Sequence, residues 1–205
     1  KAILKNAKNI LIAPLDWGMG HTTRCIPIIQ HLLQEGKQVF FAGNEQQQAL
    51  IKAYFPSLSF IPINGYGVKY SKRFLFLHIC LQIPKLLIRI YQEHQEIKSI
   101  CKRYSIDTII SDNRYGLWHS NINSIILTHQ IAIQTGMGSW INKVVQIVHY
   151  LFLEKFSQTW IVDQAASPGL AGSLSHSGYL PKNAVYVGWL SAFTLQTTLI
   201  STASS

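Results

Sequence analysis

Apolar residues along this 205-residue chain fall into short runs that alternate with stretches of helical spacing. Residues 9–15 (NILIAPL) are apolar at nearly every position and end at a glycine turn, the pattern of a strand buried on both faces of a parallel sheet. In residues 22–34, Ile26, Ile29, Leu32 and Leu33 recur at helical intervals, and Gly36 stands where a helix C-cap is expected. Residues 38–42 (QVFFA) predict a second strand. Asn44 can cap a helix over EQQQALIKAYF, which must stop before Pro56. Residues 58–63 (LSFIPI) predict a third strand. The first 65 residues thus read β-α-β-α-β, and strands alternating with helices of about 10–15 residues predict a parallel sheet with helices on both faces.

The pattern changes over residues 68–104, where Lys69, Lys72, Arg73, Lys85, Arg89, Lys98, Lys102 and Arg103 are interspersed with Phe74, Leu77, Leu86 and Ile88. One or two helices, broken or kinked near Pro84, are expected there. Residues 107–111 (DTIIS) and 124–128 (SIILT) predict a fourth and a fifth strand, residues 142–156 a helix, and residues 159–162 and 184–187 short closing strands. The fold class expected is α/β, a three-layer sandwich with a mostly parallel sheet. The Thr/Ser-rich tail 194–205 has no charge and no pattern and is expected to be loose.

Composition narrows this picture. Hydrophobic residues make up 48% and charged residues 13%, which suits a globular chain with a substantial core. Lys and Arg outnumber Asp and Glu by 18 to 9, a balance that favours anionic partners such as phosphorylated metabolites or a membrane surface. No nucleic-acid-binding motif accompanies the charge, so nucleic acid is not an expected partner. Cys25, Cys80 and Cys101 are odd in number and lack CxxC spacing, which predicts neither a disulfide framework nor a zinc site and fits a reducing compartment. The most apolar stretch, residues 74–90, contains His78, Pro84, Lys85 and Arg89 and fails as a membrane-spanning helix. A cytoplasmic protein is expected, at most peripheral on the inner face of a membrane.

In open parallel sheets, ligands bind outside the carboxyl ends of the strands. The residues that follow the predicted strands are polar and glycine-rich: Asp16 to Arg24, Gly43 and Asn44, Asn64 to Gly67, Asp112 to Arg114, and His129 with Gln130. The sharpest element is GMGHTTR, residues 18–24. Gly18 and Gly20 permit a tight strand-to-helix turn and close approach of a ligand to the backbone. The helix that follows offers free N–H groups to an anion, and the polar Thr22 lies in its first turn. A histidine side chain ordinarily exchanges its proton near neutrality, so an imidazole at position 21, that of His21, can deprotonate a hydroxyl. A plain glycine turn with a capping histidine reads the same residues equally well. The segment lacks the Gly-Lys-Ser/Thr of a Walker loop and the full GxGxxG spacing of a dinucleotide fingerprint. Asp112 at a strand end can orient a histidine base or simply cap a loop. Arg24, Asn113 and Arg114 are candidates for a phosphate or carboxylate, and His129 and Gln130 for sugar hydroxyls. Residues 68–104 offer a different use, a basic-aromatic surface that would make the chain a non-enzymatic membrane or partner adaptor.

The opening ILIAPLDWGMGHTTRCIPIIQHL, with its Gly-x-Gly-His turn into a helix, resembles the N-terminal, Rossmann-like domain of GT-B glycosyltransferases. SDNRYG, ILTHQ, LAGSLSH (residues 170–176) and YVGWLS (residues 186–191) are similar to a MurG-like bacterial branch of that group, and the resemblance runs over residues 8–193. It implies an acceptor-side domain over residues 1–193, a nucleotide-sugar donor as substrate rather than any cofactor, no metal, and a sugar or lipid-linked acceptor. It also implies that His21 is the general base or sits over the donor phosphates, with Gly18 and Gly20 shaping the loop and Asp112 as partner. The family's donor-binding half would follow YVGWLS; here AFTLQTTLISTASS stands in its place. A chain incomplete and inactive alone is therefore expected: a truncated gene product, a fragment, or one half of a split enzyme whose partner supplies the donor domain.

Overall fold

The computed structural model describes residues 2–67, 75–133, 138–163 and 180–188. LAGSLSH, the second half of YVGWLS, the tail 194–205 and the basic stretch 68–74 lie outside these residues. Seven strands, β1 (Asn9–Pro14), β2 (Gln38–Gly43), β3 (Ser59–Pro62), β4 (Thr108–Asp112), β5 (Asn123–Thr128), β6 (Gln158–Ile161) and β7 (Ala184–Tyr186), form one sheet in the order β3-β2-β1-β4-β5-β6-β7. Every pairing is parallel. The strand order reverses beside β1, whose Ile12 pairs with Phe41 on one side and Ile110 on the other.

Among the described residues, four helices cover the sheet: α1 (Met19–Gln34), α2 (Glu45–Tyr54), α3 (Leu75–Tyr104) and α4 (Ser139–Leu153). Alternate strand residues divide the core. Ile10, Ile12, Val39, Phe41 and Ile110 pack with Ile26, Ile29 and Leu32 of α1 and Ile51 of α2. Leu11, Ala13, Phe40, Ala42 and Ile109, pointing to the opposite face, pack with Ile97 and Cys101 of α3. Farther along that face, Ile126 and Ile161 meet Leu153 of α4. Burial on both faces explains why β1 is apolar without alternation.

Local signals act as the sequence suggests at two helix ends. Asn44 and Gln47 form a capping box: Asn44 Oδ1 accepts from Gln47 N at 2.9 Å and Gln47 Oε1 from Asn44 N at 3.0 Å. α1 ends in a Schellman motif, with Lys37 N bonded to Leu32 O, Gly36 N to Leu33 O, and Gly36 at φ 74°. Elsewhere the boundaries move. α1 starts at Met19 rather than residue 22, and Asp112 belongs to β4 itself. Where one or two helices were expected over residues 68–104, a single helix continues through Pro84 to Tyr104. Pro84 removes one amide donor, but the buried inner residues Ile90, Ile97 and Cys101 anchor the rest of the helix to the sheet.

A candidate active site at the switch point of the sheet

Where the strand order reverses, β1 and β4 stay paired to their tips, but the chain leaves β1 for α1 on one face of the sheet and leaves β4 toward Leu117 on the other, which opens a crevice. The turn after β1 enters α1 through Gly18, at φ 81°, which acts as N-cap with no side-chain cap of its own. A Cβ on Gly18 or Gly20 would meet no protein atom within 4 Å, so both face open space. His21, one turn in, reaches the end of β4: its Nδ1 lies 3.1 Å from Asp112 Oδ2. Arg24 follows on the same helix with a guanidinium nitrogen 3.6 Å from Asp112 Oδ1 and 3.5 Å from His129 Nδ1. Asp112 is 1% exposed and His21 14%, so the carboxylate is buried beneath an imidazole that still meets the surface.

His21 and His129 border a cavity of about 420 Å³, lined also by Asn113, Gln130, Leu15, Trp17, Tyr66, Leu86, Tyr115, Thr128 and Ile133, whereas Asp112 and Arg24 lie behind the imidazoles and outside the lining. Asn113 takes a left-handed φ of 58° at the tip of β4, a conformation that asparagine tolerates better than most residues. The two imidazoles offer complementary chemistry. A carboxylate at His21 Nδ1 favours the proton there and leaves Nε2 as an acceptor. Arg24 can only donate to His129 Nδ1, so the proton of His129 sits on Nε2. Their ring centroids are 6.5 Å apart, so one hydroxyl group can lie between an acceptor and a donor.

Not every residue singled out in the sequence reaches this cavity. Thr22 is fully buried and accepts from Gln47 Nε2 at 3.0 Å, which locks the glycine turn to α2. Arg114 is 0% exposed and its guanidinium is fully committed. Its Nε lies 2.6 Å and a terminal nitrogen 2.5 Å from Glu93 Oε1, and it also donates to Asn64 O at 2.6 Å. Glu93 Oε2 accepts from Tyr66 Oη at 2.8 Å and from Gly116 N at 3.1 Å, and Tyr66 Oη accepts in turn from Tyr115 N. One buried acid on α3 therefore ties together the loops after β3 and β4, which bring Tyr66 and Tyr115 to the cavity. Burial, reinforced by Glu93, pushes the Tyr66 hydroxyl well above its ordinary range, and burial raises Tyr115 to about 12. Both remain neutral donors.

Gly116 completes this arrangement because a Cβ there would fall 2.5 Å from Ile90 O and 2.6 Å from Glu93 Oε2. Gly116→Ala is expected to destabilise the fold by about 1–3 kcal/mol through overpacking. In urea this reads as a lower midpoint at unchanged slope.

Burial also holds three histidines below the ordinary imidazole range: His129, with Arg24 and His21 adding to the effect, His149, and His94, with Lys98 adding. A base with a depressed folded-state pKa binds fewer protons folded than unfolded. The stability it contributes is full above about pH 6.5 and falls as the pH drops through the folded-state values. The melting temperature is thus expected to fall between about pH 7.5 and 5.5. A melting temperature that holds or rises on acidification through that window contradicts this.

No family model matches the chain, and no curated protein matches its sequence. Solved structures do share its fold. Phytolacca americana UGT2, complexed with UDP-2fluoro-glucose and pterostilbene, is 12% identical with a TM-score of 0.54, over 93% of this chain and 57% of that one. The spinosyn forosaminyltransferase SpnP is 10% identical with a TM-score of 0.53, over 90% and 51%. The glycotransferase of kitacinnamycin is 13% identical with a TM-score of 0.52, over 77% and 46%. This chain spans about half the length of the solved structures it matches. At these identities the likeness shows the fold, the α/β Rossmann-like fold found in one half of GT-B glycosyltransferases.

Proposed function

We propose that this chain is the acceptor-binding half of a nucleotide-sugar-dependent glycosyltransferase. The observation that carries the reading is His21, held against the buried Asp112 at the mouth of the switch-point cavity. In the proposed step His21 Nε2 takes the proton of an acceptor hydroxyl. The acceptor oxygen bonds to the anomeric carbon, the bond from that carbon to the donor phosphate oxygen breaks, and the nucleotide diphosphate leaves with the electron pair. Asp112 stabilises the imidazolium that forms. His129, neutral with its proton on Nε2, donates to the same hydroxyl, and Asn113 and Gln130 contact the acceptor. Trp17, Tyr66 and Tyr115 offer ring faces to its apolar surface. The open first turn of α1 faces the donor phosphates. Placement in a MurG-like branch rests on the resemblance of ILIAPLDWGMGHTTRCIPIIQHL, SDNRYG, ILTHQ, LAGSLSH and YVGWLS alone.

The test is direct binding to this chain. A hydroxylated acceptor probe such as pterostilbene, followed by ligand-observed NMR, should compete for the cavity, and UDP-glucose should bind far more weakly. Tight binding of UDP-glucose with no binding across a panel of hydroxylated acceptors would reverse the assignment of this half.

One observation favours a second reading, that of a membrane-surface adaptor. α4 exposes Trp140, at 71%, with Val144, Ile147, Val148 and Leu151, and α3 exposes Ile83, Leu87, Ile88 and Tyr91. Among the described residues no helix is long and apolar enough to cross a membrane, so such contact would be peripheral. Sedimentation with anionic but not neutral vesicles supports this reading, and equal recovery with both removes it.

A further inference from the structure

α4 turns two polar side chains inward, and both hold the main chain that follows β5. Gln146 donates from Nε2 to Ile131 O at 2.5 Å and accepts at Oε1 from Ile133 N at 2.7 Å. Three residues on, and therefore on the same helix face, the buried His149 has Nε2 3.1 Å from Gln130 O and Nδ1 3.1 Å from Tyr115 Oη. A carbonyl oxygen only accepts, so the proton sits on Nε2. Nδ1 then carries a lone pair, and the Tyr115 hydroxyl must donate to it. Thr128 Oγ1 secures the same turn, accepting from Gln130 N at 3.1 Å and donating to Gln130 O at 3.2 Å.

A helix required only to cover the sheet would use apolar residues here, as it does at Leu153. An inward amide and imidazole cost desolvation and return it only in one geometry, so they specify orientation more than cohesion. We propose that Gln146 and His149 are positioning residues: through them α4 fixes the main chain of residues 130–133, and with it the height at which His129 and Gln130 meet a ligand. The functional part of this proposal rests on the reading of the cavity as the acceptor site.

Nitrogen-15 NMR of the imidazoles, in the full chain with no nucleotide or sugar added, separates the two claims. His149 is expected as the Nε2–H tautomer, and Tyr115→Phe should move its Nδ1 signal. Gln146→Leu and His149→Phe should each displace the His129 signals in a folded protein. His149→Gln, whose amide can still reach Gln130 O, should return them close to wild type. An Nδ1–H tautomer at His149, or His129 signals unmoved in folded Gln146→Leu, overturns the proposal; Gln146→Leu decides alone where His149→Phe does not fold. If the His129 signals move as expected while pterostilbene binding stays the same, the positioning claim holds and the acceptor-site reading fails.

Discussion

His21→Ala is expected to lower glycosyl transfer by about 10²–10⁴-fold, the usual contribution of a positioned general base. That corresponds to about 3–5 kcal/mol of barrier. On the proposed function, the measurement is release of nucleotide diphosphate with a donor-binding half supplied. The loss should fall on kcat more than on KM, because proton transfer matters most in the transition state. The fold should survive, since the His21 ring lies at the surface of the cavity. Asp112→Asn should reproduce much of the loss, because an amide no longer stabilises the imidazolium and can select the wrong tautomer. The pair acts as a unit, so the double variant should lose little more than His21→Ala alone. Full activity in His21→Ala would remove the base role.

The largest effect on stability is expected at Glu93. Its carboxylate is 1% exposed and meets Arg114, Tyr66 and Gly116 N. Glu93→Ala leaves a guanidinium buried without its counter-charge, a change that typically costs about 3–5 kcal/mol. For a domain of this size that is a fall of roughly 6–20 °C in melting temperature. Glu93→Gln keeps an acceptor for some of these donors and should cost less. The double variant Glu93→Leu/Arg114→Met should recover much of the loss, since apolar residues of similar volume commonly replace a buried ion pair at little cost. Calorimetry of wild type, Glu93→Leu, Arg114→Met and the double variant gives the coupling energy, and additive losses would show that the two residues act independently.

The parallel sheet was legible because its inner strands pair on both sides and pack on both faces, which makes their sequences short, nearly unbroken apolar runs. NILIAPL, QVFFA and SIILT could hardly be anything else. The glycine turn and the strand-end aspartate were legible as well, since rule-based topology places strand tips together. What stayed hidden were the contacts between distant elements. Arg114 sits at a strand end and carries a charge, so sequence reasoning put it in the site. Its engagement by Glu93, 21 residues away and on another element, depends on how α3 packs. A signal for this did exist: Ile90, Glu93, Ile97 and Cys101 are spaced 3, 4 and 4 apart, which places an acid on the buried stripe of a helix. Such an acid needs a buried partner, and a nearby arginine at a strand end was the obvious candidate. His149 and Gln146 were harder to read, because polar residues inside an apolar helix look the same whether they face water or main chain.

The pairing of β1 with β4 joins residues 10–14 to residues 108–112. A synthesising ribosome must therefore release roughly a hundred residues before the central strand gains its second neighbour. Until then β1, β2 and β3, with α1 and α2 behind them, form a half-sheet with one open flank and one uncovered face. Closing so long a loop before the pairing repays it is slow, and in that interval the uncovered strands are the part of the nascent chain most in need of a chaperone. The crevice that holds His21 and Asp112 lies on that seam, so it takes shape only when the two halves of the sheet meet.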